Sequence, residues 1–213
     1  MKIPTKTLER KLLDSGYGYI CGVDEVGMGC LAGPVTACAV GIKSNFYKNN
    51  HSKLVGLRES KLLSARHRKL FAQELLKEKD LVYAVSSCSP KIIDDINIYQ
   101  ATRQAMRNAI KKLTTNNTQL TMKTIVLVDG NKKIENLQFD QRAIVKGDQK
   151  IFVIACASII AKVYRDKLMK RYATQFPQYG FEQHKGYSTK LHQDALNKVG
   201  PCPIHRRSFR LEY

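Results

Sequence analysis

Val23-Asp24-Glu25-Val26-Gly27-Met28-Gly29-Cys30-Leu31-Ala32-Gly33-Pro34-Val35 joins two short apolar runs, residues 19–24 and 34–42. Both runs are rich in β-branched and small apolar residues, so they predict neighbouring strands, with Gly27, Gly29 and Gly33 in the connection between them. Two carboxylates close the first strand. A carboxylate is costly to bury unless it is paired or metal-bound, so an acidic pair at the end of an apolar strand calls for a reason. The plain alternative is a strand end turning into solvent with Asp24 and Glu25 hydrated, and for a lone Asp-Glu pair that suffices.

A second apolar run, residues 124–129, also ends in an aspartate, Asp129, followed by Gly130-Asn131. If these two strands are parallel neighbours, their carboxyl ends lie side by side, where open α/β sheets place their sites, and Asp24, Glu25 and Asp129 converge. Asp129 read alone is an ordinary Asp-Gly turn. Asp148 follows a short strand expected at 142–145 and precedes a long helix; it offers a fourth carboxylate, although a Gly-Asp turn accounts for it equally well. Three or four carboxylates without histidine or cysteine partners suit Mg²⁺ or Mn²⁺ rather than zinc or copper. Two such ions can activate a water and stabilise the leaving oxygen of a phosphodiester, which points to phosphodiester hydrolysis.

The rest of the chain supports an α/β domain with a mixed sheet. Residues 81–88 read as a further strand, and helices are expected at 64–79, capped by Ser64, at 97–113, at 152–172 and at 189–199. Ala155, Ala157, Ser158 and Ala161 suit close packing of the third. Residues 43–53 and 114–123 are polar and read as surface loops, and Phe176-Pro177 ends the long helix. Residues 1–172 are expected to form the main body and 173–213 a small C-terminal helical and basic segment of the same domain.

The 213 residues carry 36 Lys+Arg against 18 Asp+Glu, a net charge of +18, far above the roughly 2 to 8 usual for a small soluble domain. So one-sided a field favours a polyanion, nucleic acid first and a membrane surface second. The six cysteines form no CxxC pair and suit buried thiols in a reducing cytoplasm. No stretch approaches the roughly 20 apolar residues of a membrane span, and residues 1–19 have no core of signal-peptide length. A monomer is the simplest expectation.

The 23–35 stretch resembles the signature of the type 2 ribonuclease H family, whose usual form has Gly-Arg-Gly-Pro where this chain has Gly27-Met28-Gly29-Cys30. Similar to further family motifs are GLRESKLLS (56–64), IDDINIYQATRQAM (93–106), 128–131, AIVKGD (143–148), ACASIIAKVYRD (155–166), YGFEQHKGYST (179–189) and GPCPIHRRSF (200–209). The resemblance spans roughly residues 17–209 and is specific as a whole. It implies a ribonuclease H-like mixed five-stranded sheet flanked by helices and a metal site of Asp24, Glu25, Asp129 and Asp148 holding Mg²⁺ or Mn²⁺. It also implies cleavage of the RNA strand of RNA-DNA hybrids and of ribonucleotide-containing duplex DNA on the 5′ side of the ribonucleotide. Gly27, Met28, Gly29 and Tyr187 occupy the positions by which the family senses the 2′-hydroxyl and the RNA-to-DNA junction. Lys61 resembles a position near the substrate backbone, although a solvated lysine serves nearly as well.

Two rivals remain. One is a type 3 ribonuclease H, which usually carries an extended N-terminal domain for which this chain has no room; the other is a non-catalytic nucleic-acid-binding protein on the same scaffold. His184, His192 and His205 fit no zinc spacing and are expected at the surface or facing phosphates. Asp166 is expected to form an ion pair on its helix rather than to bind metal.

Overall fold

The computed structural model describes residues 3–49, 51–117 and 123–209. β1 (Tyr19–Val26), β2 (Val35–Lys43), β3 (Leu81–Cys88), β4 (Thr124–Asp129) and β5 (Asp140–Ile144) form one sheet in the order β3-β2-β1-β4-β5. β1 runs antiparallel to β2 and β2 to β3, while β4 lies parallel to both β1 and β5. This is the expected mixed five-stranded sheet. β5 begins at Asp140, two residues before the expected start, because this edge strand is polar and only half covered.

Alternation along the strands divides the core in two. Ile20, Cys38, Val40, Ile125 and Leu127 face α5 (Phe152–Gln175), together with α1 (Thr7–Asp14) and α2 (Ala65–Leu75). Cys21, Val23, Ala37, Val126 and Val128 face α3 (Pro90–Asn116) on the other side. Residues 152–161 of α5 are buried all round, as a helix crossing a core must be. Gly22 allows that approach, since a Cβ there would lie 2.6 Å from the Val153 carbonyl carbon. The small residues of α5 are therefore packing residues, and the helix runs three residues past its expected end.

α3 starts at Pro90 rather than near Asn97. The Ser89 hydroxyl accepts the Ile92 N–H to cap it, and Asn97, at φ 66°, kinks the helix while its side chain accepts the Gln100 N–H. The start expected near residue 97 is thus a second cap inside one element. Of the two expected loops, residues 44–48 form a short 3-10 turn that buries Phe46 and Tyr47, with the Phe46 ring stacked on Phe152. Residues 114–116 close α3, and 118–122 lie outside the described residues.

After β5 come α4 (Gly147–Lys150) and α5, then α6 (Phe181–His184) and α7 (Lys190–Val199). The last two pack Tyr179, Phe181, Leu196 and Ile204 against Met169 and Ala173 of α5 and against Leu31 and Ala32 of the glycine-containing connection. That third core fastens the C-terminal residues to the loop following β1. No helix among the described residues is long and apolar enough to cross a membrane.

Candidate functional site

The parallel register pairs Val23 with Val128, so Asp24 and Asp129 stand level one residue further on. Both continue the face that carries Ile20 and Leu127 toward α5, whereas Glu25 continues the face toward α3. Carboxylate oxygens of Asp24, Glu25 and Asp129 nonetheless come within 4.8 Å of one another. Asp148, in the first turn of α4, stands outside that trio, although its charge acts on Asp24.

The two aspartates at the strand ends are held from behind. Asp24, buried, accepts the Glu25 N–H at 2.7 Å and is hydrogen-bonded by the Ser158 hydroxyl, which is itself 2.9 Å from the Ser60 hydroxyl. Asp129 accepts the Gly147 N–H at 2.6 Å, which ties the end of β4 to the start of α4. Burial, and then the charges of Glu25 and Asp129, push Asp24 well above the usual carboxylate range. Burial and Asp129 push Glu25 up to about 7, and the same two causes push Asp148 up to about 6. Among the described residues none of these four carboxylates forms an ion pair. A cluster of hard oxygens, crowded and short of positive charge, fits a divalent cation.

The loop after β1 faces the same site. Gly27 is buried at φ 94°, and a Cβ there would collide with the Arg165 guanidinium. Met28 is half-buried against the α3-side core, and Gly29 is exposed. A cleft of about 470 Å³ runs past Glu25, Met28, Arg103, Asp129, Lys132 and Lys133. Lys61, exposed on a 3-10 turn, lies close enough that its charge opposes the upward shifts of Glu25 and Asp148. Tyr187 is 36% exposed, with the Lys162 ammonium 5.5 Å from its ring centre. It forms a β-bridge with Cys30, and the neighbouring Gly186 carbonyl accepts the Leu31 N–H at 2.8 Å. A second cleft, of about 800 Å³, continues from Tyr187 past Arg68, Lys69, Lys162, Lys167 and Lys185.

Asp166 pairs with Lys162 at 2.9 Å and Arg68 at 3.7 Å, the ion pair expected of it. The three histidines differ from expectation, being buried rather than at the surface: His184 and His192 stack with ring centres 4.4 Å apart, and His192 Nε2 lies 3.0 Å from His205 Nε2. They fill the third core beside Phe181, whose apolar surface they cover. Arg206, expected in a basic tail, is fully buried as well. Ser60, Ser158, Arg103, Arg165 and Arg206 were not singled out as site residues from sequence. Only Arg103, on the α3 face that also carries Thr102 and Met106, had a local signal, a charge on an otherwise core-facing stretch.

A family model described as Ribonuclease HII matches residues 21–212. Ribonuclease HII of Caldicellulosiruptor bescii is 48% identical over 202 residues, covering 95% of this chain and 91% of that protein. That of Chlorobium chlorochromatii is 45% identical over 195 residues, covering 92% and 91%. The fold matches ribonuclease H2 of Pyrococcus horikoshii at TM-score 0.71 and 24% identity, covering 91% of this chain and 94% of that one. Bst-RNase HIII, solved in complex with Mn²⁺, matches at TM-score 0.70 and 15% identity, but only 65% of its length is covered.

Proposed function

The chain belongs to the ribonuclease HII family, and from that premise we propose that it hydrolyses the RNA strand of RNA-DNA hybrids at the centre formed by Asp24, Glu25 and Asp129. In this reading Asp148 completes the ligand set, and the resident cation is Mg²⁺ or Mn²⁺. The observation that carries it is the convergence of three carboxylates from the ends of two parallel strands, none of them in an ion pair among the described residues. Bound there, divalent cations supply Lewis-acid activation of water and neutralise charge on the leaving oxygen.

The chain's own groups prepare the site. The Glu25 and Gly147 amides and the Ser158 hydroxyl fix the aspartates, and the charges of Lys61 and Arg103 favour ionised Glu25. The basic cleft past Lys162 and Lys185 tracks the phosphates, and the ring of Tyr187 takes the nucleotide flanking the cut. Main-chain groups of Gly27, Met28 and Gly29 read the 2′-hydroxyl, the one feature separating RNA from DNA at a single sugar. Cleavage on the 5′ side of an embedded ribonucleotide, leaving a 3′-hydroxyl and a 5′-phosphate, belongs to the same reading. So does the division into a catalytic body, 1–172, and a substrate-contacting segment, 173–213.

Incubating the protein with duplex DNA containing one ribonucleotide, in Mg²⁺, Mn²⁺ or chelator, tests reaction, substrate and cation together. A single cut at the ribonucleotide that chelator abolishes is expected. Binding without a cut under any cation would leave a non-catalytic nucleic-acid-binding protein instead.

A further inference from the structure

Arg165 of α5 and Arg206, beyond α7, are completely buried, and among the described residues neither pairs with a carboxylate. Their hydrogen bonds go to backbone carbonyls. Arg165 donates to Ala32, Pro34 and Lys185 at 3.1, 2.9 and 2.9 Å. Arg206 donates through Nε to Gly33 at 3.0 Å and through its two terminal nitrogens to Met28 at 2.8 Å and Gly27 at 2.6 Å. Burial lowers Arg206 to about 10, so it keeps its charge at neutral pH. Burying two cations with no carboxylate in ion-pair contact is costly, although the charge of Asp94 acts on Arg206 from further off. What they do here is turn five carbonyls of the 27–34 loop inward.

That rotation dictates the outer face of the loop. In a planar trans peptide the N–H points opposite the C=O, and none of the described peptide bonds is cis. With the Gly27 and Met28 carbonyls directed at Arg206, the amides of Met28 and Gly29 are directed away from it. Neither amide donates to an acceptor among the described residues, and Gly29 is exposed. Successive outward amides make a concavity for an oxygen ligand, and the buried charges behind them deepen its positive potential.

We propose that Arg206, backed by Arg165, is a positioning residue for ribose recognition: its forked contact with the Gly27 and Met28 carbonyls aims the Met28 and Gly29 amides at the sugar-phosphate of the ribonucleotide. The inference rests on the reading of this loop as the ribose-sensing element. Lysine at 206 keeps a cation but cannot span two adjacent carbonyls as a rigid fork does.

Amide hydrogen exchange on the wild-type protein tests this without any variant. The Met28 and Gly29 amides are expected to exchange fast in the free protein and to be protected by a duplex containing one ribonucleotide far more than by an all-DNA duplex. Equal protection by both duplexes, or amides already protected in the free protein, would overturn it. Arg206→Lys is expected to reduce the preference for the ribonucleotide duplex at least tenfold while affinity for all-DNA duplex stays within about twofold, that affinity resting on surface cations. Added guanidinium is expected to restore part of the preference to Arg206→Ala. A lowered melting temperature with preference intact would make Arg206 merely structural. A wild-type protein with no ribonucleotide preference would instead sink the functional reading itself.

Discussion

Two polar clusters adjoin the loop that follows β1, one partly and one fully buried, and they are built on opposite terms. At the carboxyl ends of β1 and β4, Asp24, Glu25 and Asp129 crowd together with no ion pair among the described residues, and burial and mutual repulsion raise Asp24 and Glu25. In the C-terminal core the histidines are matched donor to acceptor. The Cys202 N–H donates to His205 Nδ1, His205 Nε2 donates to His192 Nε2, and His192 Nδ1 donates to the Tyr187 carbonyl. His184 accepts the Gly186 N–H and donates to the Tyr179 carbonyl. A polar cluster that satisfies itself specifies shape; one that does not is waiting for a ligand.

The contrast is tested hardest by removing a carboxylate. Asp24→Asn or Asp129→Asn is expected to lower cleavage by more than the roughly 10- to 100-fold of changes that only touch a metal ligand's neighbours. Hybrid affinity should be largely kept, because it rests on basic residues. Near-normal turnover in both variants would mean the centre lies elsewhere.

The same crowding has a consequence for stability. A divalent cation at about 100 times its dissociation constant contributes about 2.7 kcal/mol to the folded state, worth roughly 5–10 °C in melting temperature for a chain of this size. Thermal melts in chelator and in Mn²⁺ are expected to show that rise for wild type and little of it for Asp24→Asn. An equal rise in both would assign the effect to ions bound elsewhere.

Much of the acidic centre was legible from sequence because its signals are local: an apolar strand ending in Asp24-Glu25, another ending in Asp129, and a parallel pairing that sets them level. Lys61 and Asp148 could be marked but not placed, since each depends on how a turn docks. The opposite cluster was not legible. His184, His192 and His205 read as polar surface, because only the packing of α6 and α7 on Phe181 and Met169 buries them. Arg165 and Arg206 reach carbonyls more than 130 residues away, with the exception of Lys185, and no local pattern announces such bonds. Ser158 reads in the sequence as a small packing residue, while its hydrogen bond to Asp24 depends on the depth at which α5 crosses β1.

Tyr187 touches the histidine cluster through its carbonyl, while its ring stands partly exposed beside Lys162. Tyr187→Ala is expected to cut activity roughly tenfold, the scale of one lost stacking contact, with an almost unchanged melting temperature because the ring is not core. Lost activity accompanied by a large fall in melting temperature would assign the ring to packing instead.

Acid should act on the satisfied cluster by breaking its pattern of neutral rings. Burial lowers all three histidines, His192 to about 4, against an ordinary value of 6.5. The unfolded chain therefore binds more protons in that interval, so stability is complete above about 6.5 and is lost as pH falls toward 4. Glu9, raised by burial to about 7, works in the opposite sense, since the folded chain holds its proton from 4.5 up to 7. The histidine share is best isolated by difference: His192→Gln is expected to flatten the fall in melting temperature between pH 7 and pH 5. A slope identical to wild type would show that the ring's proton plays no part.

The smallest expected effect concerns Met28, which stands where the resemblance leads one to expect arginine. Its backbone belongs to the satisfied side, through the Arg206 contact to its carbonyl, while its side chain lies in the cleft beside Glu25, Asp129 and Arg103. A thioether there offers soft apolar contact and no charge, whereas a guanidinium presents a fork matched to phosphate. Met28→Arg leaves the peptide planes to Arg206 and adds one cation to the substrate face. Binding of a ribonucleotide-containing duplex is expected to tighten, with the slope of log K against log salt steepening by roughly 0.9, the value for one more phosphate neutralised on a B-form duplex. Junction preference should change little, since it resides in the main chain. If affinity and slope are both unchanged, the residue-28 side chain faces away from the phosphates, and the loop meets its substrate through its backbone alone.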